Sequence, residues 1–124
     1  VVGHSLGGTV ASIEADDHDQ DAASPAVGLL LYASYPASNM SASLQSQVLS
    51  ISGTNDGLAT PTNIADSAAN LPANTRFVAI DGAVHAYFGD YGPQPGDGTP
   101  TISHDAARDQ ISELSVGFAQ GLTQ

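Results

Sequence analysis

Apolar residues gather in short unbroken runs along this chain, separated by stretches rich in Gly, Ser, Asn and Asp. The longest run, Val27 to Tyr35 (VGLLLYASY), shows no alternation with polar positions. That pattern suits a strand covered on both faces, as in a parallel sheet. Val48 to Ser52 and Arg76 to Ile80 read as two further strands, stopped by Gly53 and by Asp81-Gly82. Val1-Val2 reads as the end of another. Between them lie helix patterns. Leu6 to Asp16 carries Val10, Ala11 and Ile13 among polar positions, and Pro61 to Leu71 opens on a proline after Thr60, an N-cap candidate. His104 to Gln120 offers Ile111, Leu114, Val116 and Phe118 as an apolar face, with Ser103 as N-cap and Asp105 near the positive end of the dipole. The acidic tract Asp16 to Asp21 is expected as a solvated loop, since negative charge at a helix C-terminus opposes the macrodipole. Residues 36–43 read as a loop, and residues 89–100 are too rich in Gly and Pro for regular structure. Strand and helix alternate, so the expected class is α/β with a parallel sheet, in one domain of 124 residues.

Chemistry enters at the first turn. Gly3-His4-Ser5-Leu6-Gly7 fits G-x-S-x-G between a strand end and a helix start. A serine nucleophile must project from a sharp strand-to-helix turn, and glycines beside it let helix and strand approach. The N–H of Leu6, at the helix N-terminus, then points to where an oxyanion would form. A serine needs a base, and the base needs an orienting acid. Asp56 follows the Val48–Ser52 strand and His85 follows the Arg76–Ile80 strand, so the order is Ser, Asp, His. Both would stand at the strand edge that holds Ser5. Asp56 sits in an N-D-G turn, where Asp also serves turn geometry alone. Asp81 is the rival acid, nearer to His85 in sequence.

Composition narrows the partners. The formal net charge is -11, with two arginines, no lysine and thirteen acidic residues. Such a surface repels phosphate backbones and anionic membranes, which disfavours nucleic acid and polybasic membrane binding. The absence of cysteine removes disulfides, thiolate metal sites and a Cys nucleophile. No run is long enough to span a bilayer. Asp17-x-Asp19-x-Asp21 begins like a calcium loop but lacks its glycine and distal Glu, and no phosphate loop or dinucleotide fingerprint occurs. The sequence therefore calls for no metal and no cofactor. His4 is expected to pack locally, His18 to be solvated, and His104 to belong to the capping turn of the last helix. The chain opens on Val1-Val2-Gly3, as if inside a domain, so any targeting signal is expected upstream.

Three stretches, G-H-S-L-G-G at 3–8, G-T-N-D-G at 53–57 and H-A-Y-F-G-D-Y-G-P-Q-P-G-D-G at 85–98, resemble the α/β-hydrolase family related to dienelactone hydrolases and small carboxylesterases. The resemblance covers essentially the whole chain. It departs at Val84, where the family often has a polar residue before the histidine. It implies Ser5 as nucleophile, Asp56 as acid, His85 as base, and an esterase-like reaction on a small-molecule ester. It also implies that residues 1–124 are the C-terminal half of the fold. The first strands and the loop with the second oxyanion donor would lie in a missing N-terminal half. The short link between the Val27–Tyr35 and Val48–Ser52 strands leaves no space there for a large cap, so an open site is expected. A non-catalytic binding protein and an acyltransferase on the same scaffold are the alternatives.

Overall fold

The computed structural model describes residues 1–19, 28–89 and 92–122. Four strands, β1 (Val2–His4), β2 (Gly28–Tyr32), β3 (Gln47–Gly53) and β4 (Arg76–Ile80), form one parallel sheet in that order. Val2 pairs with Leu30, Leu30 with Leu49 and Leu49 with Arg76, so one row runs straight across the sheet. The helices are α1 (Leu6–Asp19), α2 (Pro61–Asp66) and α3 (His104–Gly121). The α/β class and the parallel sheet agree with the sequence pattern.

Parallel strands are buried on both faces, and here each face has its own core. On one side Leu29, Leu31 and Val48 pack with Ala11 and Ala15 of α1 and with Met40, Leu44 and Leu71. On the other, Leu30, Leu49, Ile51 and Ile80 pack with Ala107 and Ile111 of α3, with Leu114 and Phe118 partly covered. Residues 33–46 form no helix, so Met40 and Leu44 do for the β2–β3 crossover what a helix would do elsewhere.

Several local expectations are corrected. The helix α1 runs on to Asp19 instead of ending at Asp16. Charge against the dipole costs only about 0.3–1 kcal/mol, and the helix is held by its Ala11/Ala15 stripe and by Ser43, whose hydroxyl donates to Asp16 Oδ1 at 2.6 Å. Residues 20 and 21 lie outside the described residues. The buried stripe of α1 is Ala11, Ser12 and Ala15, while Val10 and Ile13 are 59% and 48% exposed. Small residues face the sheet because the helix lies close to it. Val116 of α3 is likewise exposed. The strand β2 ends at Tyr32, because Ala33 takes a left-handed φ of 50° and turns the chain; Val27 lies outside the described residues. The Pro61–Leu71 helix divides into α2 and a 3₁₀ turn at Ser67–Asn70. Thr60 and Ser103 cap as expected, accepting from Asn63 N–H and Ala106 N–H.

Candidate active site

Every side chain of interest sits at the C-terminal edge of the sheet. The turn from β1 to α1 is the tightest part. Ser5 adopts φ 55°, a left-handed conformation that is uncommon for a residue with a Cβ and costs about 1–3 kcal/mol. Its surroundings hold it there. Ser5 N–H donates to Tyr32 carbonyl at 3.1 Å, and Ser5 carbonyl accepts from Gly8 N–H at 2.9 Å. A Cβ on Gly3 would stand 2.3 Å from the Gly7 carbonyl oxygen, and one on Gly8 would strike the Ser34 side chain. Gly7 faces open space, so the close approach expected of the second motif glycine is required of Gly8 instead. Leu6 is the first residue of α1, so its N–H is among the first four, which have no partner within the helix.

The acid and the base come from the next two strand ends. Asp56 lies in the turn after β3, its N–H donating to Gly53 carbonyl at 3.2 Å. Its Oδ1 accepts from Leu58 N–H at 2.8 Å and Ala59 N–H at 2.9 Å. Its Oδ2 lies 2.9 Å from His85 Nδ1, with both residues buried. His85 opens a 3₁₀ turn, His85–Phe88, after β4, and its Nε2 lies 2.9 Å from Ser5 Oγ. A carboxylate only accepts, so Nδ1 carries the proton and Nε2 presents its lone pair to the Ser5 hydroxyl. The structure thus brings Ser5, His85 and Asp56 into one hydrogen-bonded chain. Asp81 stays outside it: this exposed carboxylate accepts from Thr54 Oγ1 at 3.4 Å.

Around this chain lie groups of unequal legibility. The His4 ring tilts against the His85 ring at 4.9 Å and stacks near Phe88 at 6.4 Å. Burial, and then the neighbouring His85, hold His4 below the usual histidine value; a backbone hydrogen bond with His85 and the Asp56 charge oppose this without reversing it. His104 begins α3 and stacks flat on Tyr87 at 4.8 Å. The side chain of His18 lies outside the described residues. Asp97 does not stand out in the sequence. Its burial alone would raise the carboxyl, but N–H donors from Ala86, His85, Gly98 and Gly57 outweigh that and lower it. The G-D-G at 96–98, beside an N-D-G at 55–57, was the available signal.

A cavity of about 290 Å³ opens over Ser5 and His85, lined by Thr9, Ala33, Ser34, Tyr35, Leu58 and Ala59. Its walls are small or apolar, and His85 is the one titratable side chain near Ser5 among them apart from Tyr35. Among the described residues no group of three or more His, Cys, Asp or Glu stands ready to hold a metal. No helix among them is long and apolar enough to cross a membrane.

Comparison with solved structures finds the same fold at low identity. A proposed dienelactone hydrolase of Klebsiella pneumoniae subsp. pneumoniae superposes with a TM-score of 0.63 at 18% identity, over 96% of this chain and 50% of that one. A thermophilic esterase of the planctomycete Thermogutta terrifontis gives 0.58 at 17%, over 94% and 52%. A proposed hydrolase of Agrobacterium vitis gives 0.59 at 14%, over 91% and 59%. The chain therefore spans about half the length of the solved structures it matches. No curated protein matches it in sequence. The sequence model described as the alpha/beta hydrolase family matches residues 1–109. With that match over most of its length, and with the parallel sheet to go with it, the chain belongs to the α/β-hydrolase family.

Proposed function

We propose that this chain carries the catalytic residues of a serine hydrolase acting on carboxylic esters. The observation that carries the reading is the unbroken chain Ser5 Oγ, His85 Nε2, His85 Nδ1, Asp56 Oδ2, with 2.9 Å at both links. In this reading Ser5 is the nucleophile. Its Oγ attacks the ester carbonyl carbon while His85 Nε2 takes its proton. The carbonyl oxygen becomes an oxyanion that accepts from the Leu6 N–H. Asp56 holds the imidazole in its tautomer and stabilises the imidazolium. Collapse breaks the ester bond, and His85 gives its proton to the departing alcohol. Water, deprotonated by His85, then attacks the acyl-enzyme; the acid leaves and Ser5 regains its proton.

The cavity supports a short acyl group, since Ala33, Leu58 and Ala59 leave modest apolar room beside Ser5. The Thermogutta esterase, of the same fold, has been solved with butyrate bound. We further propose that residues 1–124 are one part of a larger domain, from the serine turn to the last helix. The solved relatives are about twice as long. Val2 on β1 and Val10 and Ile13 on α1 expose apolar surface suited to further strands and helices. That remainder would supply the second oxyanion donor.

The test is hydrolysis of p-nitrophenyl acetate and butyrate by the intact domain, alongside a fluorophosphonate probe. Ser5-dependent turnover and labelling are expected, both lost in Ser5→Ala. Labelling with acyl transfer to an added alcohol in preference to water would make the protein an acyltransferase. No labelling of folded protein would make it a non-catalytic member of the fold.

A further inference from the structure

We propose that Asp97 is a positioning residue that fixes the separation of Asp56 and His85 by clamping the two loops that carry them; the inference rests on the triad reading above. Its Oδ1 accepts from His85 N–H at 3.1 Å, from Gly57 N–H at 3.3 Å and from Gly98 N–H at 2.8 Å. Its Oδ2 accepts from Ala86 N–H at 3.0 Å. One carboxylate thus holds the backbone of the base itself and the residue next to the acid. Hydrogen bonds to a charged acceptor are about twice as strong as neutral ones, so a carboxylate suits this place better than an amide.

The chain around Asp97 is shaped for the clamp. A Cβ on Gly57 would stand 2.5 Å from the Gly96 carbonyl oxygen, and one on Gly98 would stand 1.8 Å from the Asn55 carbonyl oxygen. Only glycine lets the two backbones lie this close. Asn55 Nδ2 donates to Thr99 carbonyl at 2.9 Å, and Asn55 N–H donates to Ala83 carbonyl at 3.0 Å. The acid loop is therefore tied to residues before and after His85. Backbone groups set the spacing that the 2.9 Å contact between Asp56 and His85 requires. This explains why G-D-G at 96–98 accompanies D-G at 56–57, which the triad alone leaves unexplained.

The test uses Asp97→Asn in the intact domain, which keeps the shape but cannot accept from Ala86 N–H through its amide nitrogen. Circular dichroism establishes that the variant is folded at the assay temperature. A loosened triad lowers kcat by at least ~10-fold, because a misplacement near 1 Å can cost ~100-fold. KM stays within about twofold, since Asp97 does not line the cavity. The distinguishing arm repeats the substitution in an Asp56→Asn background. Residues that act as a unit are non-additive, so the further loss there is under about twofold. An unchanged kcat in folded Asp97→Asn, or the same loss in both backgrounds, overturns the proposal. Should Asp97→Asn not fold, Asp97→Ser keeps one acceptor and carries the same comparison; failure of both to fold makes Asp97 a stability residue and also overturns it. Activity of the unsubstituted domain that survives Ser5→Ala sinks the triad reading itself, a result separate from the Asp97 outcomes.

Discussion

Asp56 divides its carboxylate between its own turn and His85: Oδ1 is held by the Leu58 and Ala59 N–H groups, and Oδ2 faces His85 Nδ1 at 2.9 Å. The backbone donors fix the carboxylate whether or not the imidazole is charged. Replacement by asparagine offers the imidazole an amide donor or acceptor in place of a pure acceptor, and so permits the wrong tautomer. Asp56→Asn should therefore lower kcat by about 10⁴-fold with the fold intact, as loss of the third member does in serine enzymes of this kind. Steady-state kinetics with a circular dichroism spectrum checks this. A folded Asp56→Asn variant with near-normal kcat would contradict the acid role proposed for Asp56.

Gly3→Ala tests the serine turn. The added Cβ would meet Gly7 carbonyl oxygen at 2.3 Å, and backbone cannot yield as a flexible side chain can. The turn must open and carry Ser5 with it. Gly3→Ala should lose most of the hydrolytic activity proposed above and lower Tm, whereas Gly7→Ala, which meets open space, should keep most of both. Equal behaviour of the two variants in a thermal scan and an activity assay would argue against the close packing at Gly3.

His4 gives a pH dependence with a definite sign. Folding lowers its affinity for a proton, through burial and the neighbouring His85. As pH falls, the unfolded chain takes up that proton first, so this group removes stability as pH drops through the ordinary histidine range of about 6.5. Denaturant titrations at about pH 7.5 and about pH 5.5 should show a larger loss for the unsubstituted domain than for His4→Gln. An identical loss would mean that His4 does not contribute. Asp97 acts with the same sign in the more acidic carboxylate range: its lowered carboxyl adds stability above the ordinary carboxylate value, lost as pH falls through the folded value.

Phe88 follows the base by three residues and gives a stability prediction. It is buried in the core beside α3, with its ring 6.2 Å from Tyr32 and 6.4 Å from His4. Phe88→Ala should cost about 3–5 kcal/mol of stability. A chemical denaturation curve measures it, and a loss under about 1 kcal/mol would contradict the burial.

The elements that reveal themselves in the sequence do so for a physical reason. Leu29, Leu30 and Leu31 are consecutive because β2 is covered on both faces, which an unbroken apolar run announces. Thr60 and Ser103 are legible because capping needs a side-chain oxygen at one position. Ser5, Asp56 and His85 are legible as candidates because each closes a strand in a fixed order. The end of α1 is not, since Asp16 is held by Ser43, 27 residues away, and local charge cannot report that. The buried stripe of α1 misleads because alanine and serine serve where helix and sheet lie close, leaving Val10 and Ile13 outside. Asp97 is hidden for a similar reason: its partners are backbone N–H groups, which every residue type except proline carries.

The most direct measurement is the site of covalent labelling by a fluorophosphonate in the intact domain, located by peptide mass spectrometry. An activated serine reacts, and the other serines do not. The account predicts a single adduct on Ser5, absent in Ser5→Ala and formed far more slowly in His85→Ala. A folded domain that carries no adduct, or carries it on another serine, would contradict it.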